Sequence, residues 1–250
     1  NMSNLEIRNI GVMLVDSSEG DNITLQQGND HVWVHNCDLF YGMAGSDADQ
    51  AKGDGALDCK KSTYITFSYN HFWDSGKCNL LGLSEDTTDG LYITYHHNWY
   101  DHSDSRHPRV RFYSAHVYNN YYDGNSKYGI GSTLGSSVFA ESNYFRNCKY
   151  PMLTSMQGSD VADGAEGTFS SEDGGTIKAY GNYMEGQKRF VSYQEDSVEF
   201  DAYVASSRNE KLSSSVTSKQ GSNTYNNFDT GSAMYSYCLL YTSPSPRDCS

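Results

Sequence analysis

Two groups of side chains in this 250-residue chain have the types and spacing to do chemistry. The first is acidic. Glu19-Gly20-Asp21 stands just before the apolar-alternating run Asn22-Ile23-Thr24-Leu25, and Asp54 and Asp58 share the segment Gly53-Asp54-Gly55-Ala56-Leu57-Asp58. Carboxylates brought together this way repel one another unless a cation joins them. Calcium suits such a set, because a hard divalent ion takes several oxygens at about 2.3–2.6 Å and tolerates irregular geometry. Along a straight strand Asp54 and Asp58 would stand about 13 Å apart, so both reach one ion only if Gly53 and Gly55 let the chain bend. Spacing alone leaves ordinary solvated acidic turns open as the alternative.

The second group is basic: Arg106-His107-Pro108-Arg109-Val110-Arg111, with Lys77 earlier in the chain. Three arginines and no acid fall between positions 105 and 118, in a chain of formal charge −13. Strand alternation places Arg109 and Arg111 on one face, opposite Val110. A guanidinium pairs bidentately with a carboxylate, so a basic strand beside an acidic cluster reads as a carboxylate-binding site. A solvated edge salt-bridged to surplus acids is the competing reading.

The elements that must position these residues recur along the chain. Val32-x-Val34 leads to Cys37, Ile65-x-Phe67 to Asn70 and Ile93-x-Tyr95 to Asn98; looser versions lead from Val117 to Asn120, Ala140 to Asn143 and Ala179 to Asn182. The key positions are spaced by 33, 28, 22, 23 and 39 residues, and the excess over the shortest spacing falls in Gly/Ser/Asp-rich stretches such as 42–55 and 157–175. A fixed minimum with insertions confined to loops is the mark of a solenoid, and the period-2 runs exclude a helical one. The predicted fold is all-β, a right-handed parallel β-helix forming a single domain over 1–237. Its asparagine column is expected to sit at the turns, in left-handed backbone conformations, each amide bonding to the amides above and below. Coils about 4.8 Å apart spread Asp21, Asp54/Asp58, Lys77 and Arg106/Arg111 over about 15 Å of one edge.

Composition agrees with strands and turns: 21 tyrosines, 23 glycines and few prolines. The negative charge argues against nucleic acid, which requires a basic footprint. No apolar run approaches the roughly 18–20 residues that span a bilayer. Residues 238–250, beginning Cys238-Leu239-Leu240, resemble the conceptual translation of a sequencing adapter and are set apart from the native fold. Cys37, Cys59, Cys78 and Cys148 remain, expected to be small buried hydrophobes rather than disulfides. The chain enters its apolar pattern at once from Asn1, so a native N-terminal segment is expected to be missing.

These residues resemble the large extracellular pectate/pectin lyase family, closely from about Asn4 to Gly124 and weakly onward to about Tyr193. The specific parts are Asp21-Asn22-Ile23-Thr24, the Asp54 and Asp58 pair, Tyr64-Ile65-Thr66-Phe67-Ser68-Tyr69-Asn70, Lys77, His97-Asn98, Arg106-x-Pro108-Arg109-x-Arg111 and His116-Val117-Tyr118-Asn119-Asn120-Tyr121. The resemblance implies a secreted calcium enzyme, monomeric when complete, acting on polygalacturonate without nucleic-acid or membrane partners. It implies Asp21, Asp54 and Asp58 as primary calcium ligands, with Glu19 where some members carry a further acidic ligand. By the same resemblance Lys77 and Arg111 hold the substrate carboxylate and Arg106 is the catalytic base, and Arg109 is expected to bind substrate beside them. One departure is Trp33-Val34-His35-Asn36, where the family has Trp-Ile-Asp-His, on a strand expected to lie away from the cleft.

The implied reaction is β-elimination to 4,5-unsaturated oligogalacturonides, with the carboxylate at C5 neutralised and the C5 proton passed to Arg106. A guanidinium is ordinarily protonated, so this role implies an alkaline optimum. A polygalacturonase-like hydrolase would need paired acid and base carboxylates, and that family's Asp-Asp and Gly-His-Gly motifs are absent. A pectin lyase would lack the calcium aspartates. A carbohydrate-binding solenoid would account for Trp73 and Trp99 but not for Lys77 and Arg106 facing the acids. The histidines at 71, 96, 97, 102, 107 and 116 form no compact zinc motif.

Overall fold

The structure, a computed structural model, describes residues 1–15, 20–40, 54–84, 90–162, 169–221 and 223–229. Its strands form three parallel sheets, and every paired strand bonds to the equivalent strands of neighbouring coils. The first sheet runs through Ser3–Arg8, Asp30–His35, Thr63–Ser68, Tyr92–His96, Ser114–Tyr118, Ser137–Glu141, Thr176–Tyr180 and Tyr203–Val204. The second takes Gly11–Met13, Asp38–Phe40, His71–Trp73, Trp99–Asp101, Tyr121–Asp123, Tyr144–Arg146 and Tyr183–Glu185. The third takes Ile23–Gln26, Leu57–Lys60, Leu80–Leu81, Arg109–Arg111, Ile130–Thr133 and Met152–Thr154. This is the right-handed parallel β-helix that the repeat predicted.

Alternation builds the core. Val32 and Val34, Ile65 and Phe67, Ile93 and Tyr95, and Val138 and Ala140 point inward and stack in register from coil to coil. Phe72, Tyr100, Tyr122 and Phe145 form a second inner column with ring centroids 4.2–4.9 Å apart. Cys37, Cys59, Cys78 and Cys148 are buried in the same interior and pack as small hydrophobes.

The asparagine column exists, but its backbone differs from expectation. Side-chain amides link Asn70 to Asn98, Asn98 to Asn120, Asn120 to Asn143 and Asn143 to Asn182 at 2.9–3.2 Å. The left-handed residue at each corner is instead the preceding one: Asn36, Tyr69, His97, Asn119, Ser142 and Gly181, with φ between 52° and 64°. The physical reason is direction. Each ladder amide must point inward along the stack and donate to a strand carbonyl of the previous coil, such as Phe67 for Asn98, so the preceding residue takes the strained turn.

Beyond residue 195, Tyr203–Val204 adds a last strand to the first sheet. Residues 223–229 then pack back across it, with Phe228 on Phe139 and Asp229 in a fully buried pair with Lys178 at 2.6 Å. The segment 238–250 lies outside the described residues. The variant sequence Trp33-Val34-His35-Asn36 belongs to the first sheet and its corner, away from the third. There Trp33 Nε1 donates to Ser68 Oγ and His35 pairs with Glu6 and Asn36.

Candidate active site

On the third sheet Leu57, Cys59, Leu81 and Val110 fill the core, so alternation turns Asp58, Arg109 and Arg111 to the outer face. Register places Asp58 opposite Thr24 and Arg109 opposite Leu80, and Lys77 bridges to Ser105. Asp21, Asp54/Asp58, Lys77 and Arg106–Arg111 therefore occupy four successive coils, as the spacing predicted. Glu19 lies outside the described residues.

The acidic half is held by two backbone donors and one hydroxyl. Asp21 Oδ1 accepts the Gly55 N–H at 2.8 Å and Oδ2 accepts the Thr24 hydroxyl at 2.5 Å, while Asp58 Oδ1 accepts the Leu80 N–H at 2.8 Å. Gly55 must be glycine for a steric reason: a Cβ there would lie 2.4 Å from Asp58 Oδ1 and 2.7 Å from Asp21 Oδ1. The two carboxylates thus border one small space. Burial first, and then the Asp21 charge, push the Asp58 carboxyl up to about 8. A carboxylate pair under that penalty, made of hard oxygen donors, fits a calcium-class cation. Asp54 meets Lys77 Nζ at 3.4 Å.

The basic half is divided in its commitments. Lys77 is buried, with its Nζ beside Asp54. The Arg106 guanidinium is half-buried and, among the described residues, makes no hydrogen bond or ion pair; its charge acts on Asp58 from nearby. Arg109 is buried and spoken for, its Nη2 donating to Ser170 Oγ at 2.8 Å and Glu172 Oε2 at 3.0 Å. Arg111 donates through Nε to both Glu172 oxygens, at 2.8 and 3.0 Å. Burial raises the Glu172 carboxyl, but Arg111 and Arg109 outweigh it and hold it below the ordinary carboxylate range.

Sequence reasoning missed Glu172 and Ser170, which sit in an insertion read only as loop. It also missed the support beneath the cations. Tyr100 donates its hydroxyl to Asn79 Oδ1 at 3.0 Å and Tyr122 to the His107 carbonyl at 2.8 Å, tying the inner ring column to the residues flanking Arg106. His107 donates Nδ1–H to the Tyr128 carbonyl, and burial holds its imidazole down to about 3. Gly82 has φ +83°, and a Cβ there would lie 2.4 Å from the Arg111 carbonyl, so this glycine lets one coil close under Arg111. Elsewhere Asp101, His102 and Asp123 bring ligand atoms within 4.8 Å of one another, but both Asp123 oxygens are engaged by Arg146.

Comparison with known proteins bears on the family and the fold. A family model described as pectate lyase matches residues 1–225. A pectate trisaccharide-lyase of Bacillus licheniformis is 35% identical over 153 residues, 61% of this chain and 44% of that protein. Pectate lyase A of Emericella nidulans is 35% identical over 162 residues, 63% of this chain and 48% of that protein. The chain therefore spans about half the length of these curated relatives. A pectate lyase from Bacillus sp. N165, solved in complex with trigalacturonate, superposes with a TM-score of 0.60 at 28% identity, covering 74% of this chain and 57% of that one.

Proposed function

The chain belongs to the pectate lyase family, and on that premise we propose that it cleaves α-1,4-linked polygalacturonate by β-elimination, outside the cell, with calcium as cofactor. The observation that carries this reading is the outer face of the third sheet, where carboxylates and cations occupy consecutive coils in register. Asp21, Asp54 and Asp58 would hold the ion. Bound there, calcium would supply positive charge against the substrate carboxylate and the negative charge that develops beside it.

The remaining work belongs to the chain's own groups. Lys77 and Arg111 bind the carboxylate on C5, which makes C5–H more acidic. Arg106, unengaged among the described residues, accepts the C5 proton when in its neutral form and returns it to solvent afterwards. The C5–H electron pair becomes the C4–C5 double bond, the C4–O bond breaks, and the departing glycosidic oxygen takes a proton from solvent. One chain end becomes a 4,5-unsaturated uronate and the other a free hydroxyl. Arg109, expected from the sequence to bind substrate, instead supports Arg111 through Glu172, because its terminal Nη2 is already bonded to Ser170 and Glu172 while Arg111 is engaged only through Nε.

Ultraviolet absorbance of the unsaturated product, followed on polygalacturonate with calcium and with excess chelator, tests the proposal. Product formed only with calcium is expected. Full-rate formation under chelator would remove the metal assignment, and reducing ends without ultraviolet absorbance would indicate hydrolysis.

A further inference from the structure

Glu172 places a carboxylate on the arginine assigned to the substrate's carboxylate, and its position is built. Phe169 packs with Tyr128, Tyr150 and Leu153 above the third sheet, at a place where Gly131 leaves room for the ring. The Phe169 N–H donates to Asp160 Oδ1 at 2.7 Å. Ser155 Oγ lies 3.0 and 2.7 Å from the Ser170 and Glu172 carbonyls, which share its one O–H. Glu172 thus approaches from a fixed backbone, and its side chain bridges Arg109 and Arg111.

The way it grips Arg111 matters. Only Nε is used, so among the described residues the two terminal nitrogens make no hydrogen bond. That edge of the guanidinium remains for a second carboxylate in fork geometry. A substrate carboxylate there would meet Arg111 together with the negative charge of Glu172, itself about a quarter exposed. At an effective dielectric near 20, such a charge a few ångströms away changes binding by about tenfold or more.

We propose that Glu172 is a specificity-determining residue: it offsets the surplus charge of Arg109 and Arg111, weakening the site's hold on a free uronate relative to a methyl-esterified one. The proposal rests on Arg111 being the substrate-binding arginine. Glu172 therefore tunes the degree of esterification the site accepts, while Arg111 provides the contact itself. Glu172→Gln is the informative change, since its amide oxygen still accepts from Arg111 Nε while the charge is gone.

The test is calorimetric binding of trigalacturonate and of its methyl ester, in an Arg106→Lys background that preserves the probe. With Glu172→Gln, affinity for trigalacturonate should rise about tenfold at low salt, the gain should shrink as salt is added, and affinity for the ester should stay unchanged. Equal changes for acid and ester, no change, or weaker binding of both would overturn the proposal and make Glu172 a structural brace. Arg111→Ala tests the premise separately. If it leaves trigalacturonate affinity intact, the substrate-binding role of Arg111 fails, and the Glu172 proposal fails with it. If it weakens binding while Glu172→Gln leaves the acid-to-ester ratio alone, only the Glu172 proposal fails.

Discussion

Replacing Gly55 by alanine probes the cation site without touching a ligand. The added Cβ would stand 2.4 Å from Asp58 Oδ1 and 2.7 Å from Asp21 Oδ1, and real Cβ contacts stay beyond 3.0 Å. Both oxygens must therefore retreat, Asp58 by more than Asp21. Calcium–oxygen distances span only about 0.3 Å, from about 2.3 to 2.6 Å, so the Asp58 retreat exceeds that tolerance. Disturbing the groups that orient metal ligands typically costs about 10–100-fold in affinity, and the calcium concentration for half-maximal lyase activity should rise by that factor. The chelated protein should lose less, because carboxylate tips move rather than backbone. The exposed term is the Asp58 bond to the Leu80 N–H, and losing it costs about 1–3 kcal/mol, read as a fall of a few degrees in melting temperature. Gly82→Ala is the contrast. Its Cβ would meet the backbone carbonyl of Arg111 at a left-handed φ of +83°, so stability should fall and substrate binding weaken while the calcium response is retained. An unchanged calcium titration in Gly55→Ala would refute the placement of the ion between Asp21 and Asp58.

Other expectations follow from the same geometry. Arg106→Lys should lower turnover about a hundredfold or more, the scale of a lost positioned proton acceptor, with the calcium response intact; equal loss of both would make Arg106 a structural residue. Asp58→Asn and Asp21→Asn should each raise the half-maximal calcium concentration, read in the same assay across a calcium series. Acid should destabilise the fold through His96 and His107, each held at about 3, mainly by burial. Folded values below the unfolded 6.5 mean their stabilising contribution is present above pH 6.5 and lost as pH falls toward 3, about 2 kcal/mol each by pH 5; denaturant melts at pH 7 and pH 5 measure it. Asn120→Ala should cost about 3 kcal/mol or more, since Asn120 donates to the Tyr95 carbonyl and bonds Asn98 and Asn143 in the ladder. Chemical denaturation would show this, and a loss below about 1 kcal/mol would mean the ladder contributes little.

The sequence by itself determined the solenoid of stacked parallel coils, its asparagine column, and the row of Asp21, Asp54/Asp58, Lys77 and Arg106–Arg111; that each coil has three sides came from the structure. The first three were legible because they obey short-range periodicities. A strand alternates every second residue, and coils stack in register, so residues distant in sequence become neighbours by counting. The tertiary structure alone decided which corner residue is left-handed, because the inward aim of each ladder amide passes the strain to the residue before it. It decided that Asp54 leans toward Lys77 and that Asp58 is buried with its carboxyl raised, since burial is a property of what covers the sheet. It also decided that Arg109 faces Glu172 rather than open cleft. The insertion carrying Glu172 has no period to count, and its path is set by where Phe169 finds an apolar seat among Tyr128, Tyr150 and Leu153, a long-range packing choice that no local pattern encodes.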